Sequence, residues 1–357
     1  MFTYGLPEFD DRNGSWRVPL VAVLNPSTEV GAVVIDAKTT LPLSSKTTSE
    51  DLVAARVLAA VPKEPRTVSG PIVIPSVRST LAAGDSEDVL KGMSAESIGL
   101  CFTSPPYFNA RPDYSEYEDY NEYLDKLGRI FKQVHRTLLE GRFLVVNTAP
   151  VLLRRSSRSQ ASKRLAVPYD LHSVITKLGF DFVDDIIWVK PEGAGWATGR
   201  GRRFAADRNP LAYKAVPVTE HVMVYRKSSD QLIDWNIRNH PDQAAVKRSR
   251  IGDGYEKTNL WKITPAHSKK HPAIFPESLA ERIIRYYSFE GDMVLDPFAG
   301  SGTVGSVAAR LGRRWTLVEL NQDYVDHIRH AIAGWQNLDG DEVNYVNCDP
   351  PMQLKLL

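Results

Sequence analysis

From residue 77 onward the chain alternates short, nearly continuous apolar runs with longer amphipathic stretches. The runs VRSTLAAG, IGLCFT, RFLVVN, DFVDDIIWV, VTEHVMVYR, DMVLDP and WTLVEL read as strands. Strands this apolar are buried on both faces, as parallel strands under helices are. Between them, EYLDKLGRIFKQVHRTLL sets Leu124, Leu127, Ile130, Phe131, Val134 and Leu138 on one helical face. This alternation predicts an α/β fold, a seven-stranded and mostly parallel sheet with helices on both faces. Before it, residues 16–37 read as a hairpin, RVPLVAVL and EVGAVVIDA joined by NPST, followed by the helix SEDLVAARVLAAV with Thr47 or Ser49 as its cap. The four prolines of PKEPRTVSGPIVIP close this small α+β unit near residue 75. Residues 227–265, polar and basic with scattered aromatics, break the alternation and read as an insertion outside the sheet. The expected division is therefore 1–75, 76–226, 227–265 and 266–357.

Composition narrows the class. With 357 residues, 43% hydrophobic and 24% charged, the chain can bury a sizeable core. No apolar run approaches a bilayer span and MFTYGLPEFDDRNG lacks a basic, apolar signal, so a cytoplasmic protein without a membrane partner is expected. Cys101 and Cys348 have no paired spacing, which supports neither a disulfide framework nor a metal cluster. The net charge of +1 hides an asymmetry. Residues 113–125 carry acids and no base, residues 154–164 carry Arg154, Arg155, Arg158, Lys163 and Arg164 and no acid, and residues 191–270 hold 15 Lys or Arg against 8 Asp or Glu. Such clustering predicts a polyanion on one side of the molecule.

Two segments carry candidate chemistry. In GLCFTSPPYFNA the strand must stop at Pro105, because proline cannot donate to a ladder. Ser104 and the aromatics Tyr107 and Phe108 then sit at a strand's carboxyl end, where open α/β sheets bind ligands. In DMVLDPFAGSGTVG a strand runs into Gly300, Gly302 and Gly305, and Glu319 ends the next strand. The spacing also fits a dinucleotide fingerprint. Only 38 residues follow Glu319, too few for the rest of a dinucleotide-binding half, so the other strands precede the glycine turn and the fold is permuted. Asp296 just before that turn is unwelcome to a pyrophosphate. It suits the ammonium of a nucleoside with an amino-acid tail, with glycine amides for the carboxylate and Glu319 for ribose hydroxyls.

TSPPY, then HPAIFP, then DPFAGSGT, in that order, resembles the β-group of S-adenosylmethionine-dependent DNA amino-methyltransferases of restriction and modification systems, over about residues 78–335. The resemblance implies a circularly permuted Rossmann-like methyltransferase fold with residues 76–226 as its catalytic half, 227–265 as target-recognition insertion and 266–357 as cofactor-binding half. It implies S-adenosylmethionine as cofactor, contacted by Asp85, Thr103, the segment His271, Pro272, Phe275 and Pro276, the loop Asp296, Pro297, Phe298, Gly300, Ser301, Gly302 and Thr303, and Glu319 with Leu320. Ser104, Pro105, Pro106 and Tyr107 become the catalytic loop. A side-chain oxygen of Ser104 and the Pro105 carbonyl would accept the two hydrogens of a base's amino group, and Tyr107 would face a flipped base. Serine before Pro-Pro accompanies cytosine N4 in the resembling family, with adenine N6 the alternative and a non-catalytic nucleic-acid-binding protein a further one. Duplex DNA is the expected partner, met by Arg154, Arg155, Arg200, Arg202, Arg203, Arg208, Lys247 and Arg248. A restriction endonuclease in the same cell and a homodimer complete the expectations, and no metal is required.

Overall fold

A computed structural model of the chain describes residues 2–11, 13–23, 25–60, 78–108, 119–152, 163–191, 215, 217–265, 276–337 and 342–347. The chain divides into two units, Met1–Gly70 and Pro71–Leu357.

In the first unit β1 (Phe2–Tyr4), β2 (Glu8–Asp10), β3 (Ser15–Ala22) and β4 (Asn25–Asp36) form an antiparallel sheet. The expected hairpin is β3 with β4. A helix over Glu50–Ala60 closes a small core of Leu20, Ala22, Val30 and Val53. Thr47, a candidate cap, instead places its hydroxyl 3.1 Å from the Val34 amide of β4.

The second unit contains β5 (Thr80–Ala83), β6 (Ile98–Thr103), β7 (Leu138–Thr148), the small pair β8 (Val151–Leu152) and β9 (Arg164–Leu165), β10 (Phe180–Val189), β11 (Thr219–Lys227), β12 (Leu260–Lys262), β13 (Met293–Asp296), β14 (Arg314–Glu319) and β15 (Asn344–Asn347). Nine of them make one sheet in the order β12-β10-β11-β7-β6-β13-β14-β5-β15. The inner seven are the seven strands expected from the apolar runs. All neighbours are parallel except that β11 runs against both β10 and β7. One expectation is corrected: residues 227–265 do not lie wholly outside the sheet. Lys227 ends β11, and Leu260–Lys262 pairs with β10 as an edge strand held by the buried ring of Trp261. A three-residue edge with a single inward side chain carries no periodic signal.

Helices cover both faces, as the alternation requires. Ser86–Lys91, Tyr120–Thr137 and Val167–Lys177 pack one core against Cys101, Leu144, Val146, Leu295 and Val318. On the other, Glu277–Tyr287, Thr303–Arg310 and Gln322–Ile332 pack against Leu100, Phe102, Val145, Val294 and Leu317. The long helix buries Tyr123, Leu127, Ile130, Phe131 and Val134, close to the predicted stripe, and Asp119 caps it through the Asn121 amide at 2.6 Å.

Between β6 and β13 the winding of the sheet reverses, since β6 continues outward to its neighbour β7 and β13 continues the other way to β14. That crevice is the switch point at which open α/β sheets bind ligands. The helix leaving β13 lies close to the sheet because Gly305 has no side chain. A Cβ there would come within 2.6 Å of Leu317 Cδ1 and 2.9 Å of Trp335 Cζ3. Gly305→Ala should therefore lower stability by about 1–3 kcal/mol despite alanine's better helix propensity. Urea unfolding measures this, and an unchanged midpoint would contradict the close approach.

Candidate active site

The two sequence motifs meet at this switch point. β6 is buried along its whole length and ends at Thr103, after which Ser104, Pro105, Pro106 and Tyr107 turn over the carboxyl rim of the sheet. The loop is held from below: the Tyr123 hydroxyl donates to the Pro106 carbonyl at 3.0 Å. Phe108 is buried and packs edge-on against Tyr120 and Tyr123, with ring centroids 5.3 and 5.5 Å away, so it belongs to the core. Tyr107 turns the other way. Its hydroxyl donates to Glu220 Oε2 at 3.1 Å and is hydrogen-bonded to Ser104. Burial, then the Glu220 charge, push the Tyr107 phenol well above its ordinary value, so it stays protonated.

Next to it, β13 delivers Asp296, almost fully buried. Its Oδ1 accepts from the Thr103 hydroxyl at 2.6 Å and the Phe298 amide at 3.0 Å, which ties the end of β6 to the end of β13. Burial raises the Asp296 carboxyl to about 7, and the Glu319 charge adds to the rise while the Thr103 and Phe298 bonds oppose it. The Pro297 carbonyl accepts from the Ser86 hydroxyl, anchoring the turn to the helix after β5. Gly300 and Gly302 have φ of +53° and +82°, backbone that other residues adopt at a cost. A Cβ on Gly300 would meet nothing within 4 Å, so this corner faces open space. Glu319 at the tip of β14 accepts from the Gly300 amide at 2.7 Å and the Asn321 amide at 2.8 Å, and burial raises its carboxyl too. The Leu320 amide is a third donor to this carboxylate, which leaves one lone pair for a hydroxyl donor. Ser301 and Thr303 place their hydroxyls 3.3 Å apart at the start of the following helix. A buried carboxylate, a left-handed glycine turn opening on free space and a second carboxylate at the neighbouring strand end fit a nucleoside carrying an amino-acid tail.

Asp85 follows the carboxyl end of β5, where Ala83 pairs with Glu319, and so stands on the same rim; the remaining expected residues are more scattered. Asp85 caps the helix Ser86–Lys91 through the Glu87 amide at 2.8 Å and pairs with Lys126 at 2.9 Å. Pro276 stands at the N-cap of Glu277–Tyr287, and Leu320 is exposed beside Glu319. Lys247 is exposed. Arg248 pairs with Glu290 at 2.6 Å, just before the amino end of β13 and thus at the rim opposite Asp296. His271, Pro272, Phe275, Arg154, Arg155, Arg200, Arg202, Arg203 and Arg208 lie outside the described residues.

The motifs also left three residues unannounced. Glu220 accepts from the Tyr107 hydroxyl, and Asn147 and Lys190 gather on the same carboxylate. Beside them a cavity of about 350 Å³ is lined by Val189, Lys190, Pro191, Lys262, Ile263 and Thr264, at the carboxyl ends of β10 and β12. The only signal for Glu220 is an acid opening an otherwise apolar run, which is common at strand ends.

A permuted sheet with a Ser-Pro-Pro-aromatic loop and a carboxylate-glycine turn on one rim defines a nucleoside-cofactor methyltransferase. Residues 98–330 match the family described as DNA methylase, the N6 and N4 methyltransferases. The chain belongs to that family, whose members use S-adenosylmethionine. A putative DNA modification methylase from Thermus thermophilus, solved with S-adenosyl-L-methionine, is 30% identical, covers 76% of this chain and all of its own, and superposes with a TM-score of 0.61. Among curated relatives, the type II methyltransferase M.Cfr9I of Citrobacter freundii is 27% identical over 72% of this chain and 88% of its own length. The type II beta methyltransferase M.BslI of Bacillus sp. is 27% identical over 70% of this chain, which spans only 27% of that relative's length. The Escherichia coli DNA adenine methyltransferase YhdJ is 27% identical over 69% of this chain and 80% of its own. Among the described residues no helix is long and apolar enough to cross a membrane.

Proposed function

We propose that this chain is a site-specific methyltransferase acting on the exocyclic N4 amino group of cytosine in duplex DNA. The observation that carries the reading is Ser104, placed by the end of β6 next to Asp296 at the switch point. S-adenosylmethionine, when bound, supplies an electrophilic methyl group on a sulfonium. Asp296 suits the ammonium of that molecule, the amides of the glycine turn its carboxylate and Glu319 its ribose. Thr103 keeps Asp296 turned toward the crevice.

The amino group of a nucleobase is a poor nucleophile because its lone pair is delocalised into the ring. Two acceptors on one rigid loop, the Ser104 hydroxyl oxygen and the Pro105 carbonyl, localise that pair by binding the two hydrogens. Consecutive prolines and the Tyr123 bond keep the loop in place before the base arrives, so little reorganisation is needed during reaction. A base inside a duplex cannot reach the loop and must leave the stack, losing a few kcal/mol of pairing and stacking. The Tyr107 ring offers a face that recovers part of the loss. The basic segments 154–164 and 200–208 are the proposed phosphate contacts. Under this reading a restriction endonuclease of the same sequence specificity shares the cell.

Transfer of a labelled methyl group to unmethylated genomic duplex DNA, followed by mass spectrometry of the nucleosides, tests the reading. N4-methylcytosine is the expected product. N6-methyladenine alone would move the assignment to adenine, and the absence of any transfer by protein that binds the cofactor would remove DNA as substrate.

A further inference from the structure

The buried cluster around Glu220 is explained by neither motif. β11 is the one strand of the sheet that runs backwards, so its first residues, not its last, stand on the rim that holds Ser104 and Asp296. Glu220 is the second residue of that strand, and its side chain is 13% exposed. Three donors converge on its carboxylate from three other strand ends. The Tyr107 hydroxyl reaches Oε2 at 3.1 Å from the loop after β6, and the Asn147 side-chain amide reaches the same oxygen at 3.0 Å from β7. Lys190, just after β10, pairs with Oε1 and lies over the Trp188 ring with its ammonium 4.7 Å from the centroid. The second hydrogen of the Asn147 amide goes to the His221 carbonyl at 3.2 Å, which fixes its orientation.

A carboxylate this enclosed is retained only where its charge is balanced and its lone pairs are used. Lys190 balances the charge. Asn147 holds one oxygen so that a lone pair is left facing the loop. What fills it is the hydroxyl of the one aromatic side chain that leaves the core at this point, while its neighbour Phe108 stays in it. Without that bond the Tyr107 hydroxyl would keep only its contact with the neutral Ser104 side chain, and its proton would lack a charged acceptor.

We infer that Glu220 is a positioning residue for methyl transfer: braced by Lys190 and Asn147, it holds Tyr107 by the hydroxyl so that the ring presents a fixed face beside Ser104. The inference rests on the reading of Tyr107 as the face that receives the flipped base. It assigns Glu220 no contact with base or cofactor.

Full-length wild-type protein, Tyr107→Phe, Glu220→Gln and the double variant distinguish a tether from simple support of the fold. With unmethylated genomic duplex DNA as substrate, each single variant should lose about tenfold or more in kcat, the range expected for a hydroxyl bond to a charged acceptor, with the calorimetric Kd for S-adenosylmethionine unchanged within about twofold. The double variant should be no slower than Tyr107→Phe alone, because Glu220 acts only through the hydroxyl that phenylalanine lacks. Additive losses, a Tyr107→Phe enzyme with kcat near wild type, or a cofactor affinity that falls in step with kcat would each overturn the inference. Ring-labelled tyrosine NMR reads the tether without turnover. The Tyr107 resonance, identified by its loss in Tyr107→Phe, should move in Glu220→Gln, and an unmoved resonance would also overturn it. If the wild-type protein transfers no methyl group while the resonance still moves in Glu220→Gln, the reading of the site fails and the tether stands.

Discussion

Ser104→Ala should lower kcat for methyl transfer by roughly a hundredfold to a thousandfold, the loss seen when one pre-placed hydrogen-bonding group is removed from a reacting centre, while Kd for S-adenosylmethionine stays the same. The split follows from geometry. Ser104 lies on the loop after β6, and the groups suited to the cofactor lie on the ends of β13 and β14. Alanine at 104 leaves the prolines, the Tyr123 anchor and the Tyr107 bond to Glu220 in place. The side-chain acceptor for one amino hydrogen is lost together with the Ser104 bond to the Tyr107 hydroxyl, while Glu220 still holds that hydroxyl, so the remaining rate is that supported by the Pro105 carbonyl and by orientation. Single-turnover measurement with saturating cofactor isolates this step from product release. A variant with wild-type turnover would remove Ser104 from the chemistry, and a parallel loss of cofactor affinity would make it structural.

The second large effect concerns Asp296 and pH. Its carboxyl is raised to about 7 in the ligand-free protein because it is buried, with the Glu319 charge adding to the rise. An ammonium needs the ionised form. Affinity for S-adenosylmethionine should therefore weaken as pH falls below about 7, approaching tenfold per unit, and level off above it. Stability runs the opposite way. A carboxyl whose folded value is raised from 3.8 to about 7 holds a proton that the unfolded chain has released, so its favourable contribution is complete below about pH 4 and is lost as pH rises through 7. The full swing is about 4 kcal/mol, at 1.36 kcal/mol per unit. Asp296→Asn keeps the shape and removes the charge. It should abolish the pH dependence of cofactor binding, weaken binding at about pH 8 by roughly tenfold to a hundredfold, and leave the ligand-free protein more stable than wild type there. Calorimetry and thermal melts across this range provide both readings. A wild-type Kd that is flat from about pH 6 to pH 8 would show that Asp296 does not carry the ammonium.

Much of the site was legible along the chain because its parts are local. IGLCFT is buried at every position in the fold, and a strand buried on both faces must be continuously apolar. Proline at 105 and 106 and the left-handed glycines at 300 and 302 mark where two strands stop, so Ser104 and Asp296 could be placed at carboxyl ends from the sequence. The long amphipathic helix was legible for the same reason. Short edges were not: Leu260–Lys262 and Asn344–Asn347 take their places by pairing with strands already formed, and three or four residues carry no period of their own. Asp85, a cofactor contact by resemblance, shows what a local pattern omits: in the fold its carboxylate also accepts from the Glu87 amide and from Lys126, 41 residues away.

The sequence by itself determined where the long strands stop, which faces are buried, which residues stand at strand ends, and that the Ser-Pro-Pro loop precedes the glycine turn. Those are consequences of side-chain volume, backbone donors and allowed torsions, all properties of near neighbours. Tertiary structure alone decided which ends adjoin. It set β6 beside β13 so that Thr103 could bind Asp296 across 193 residues, and it reversed β11 so that Glu220 arrived at the catalytic rim 113 residues from Tyr107. Strand order and direction are chosen by how whole faces pack and how connections cross, and a local pattern of apolar and polar positions is the same whichever way the strand runs.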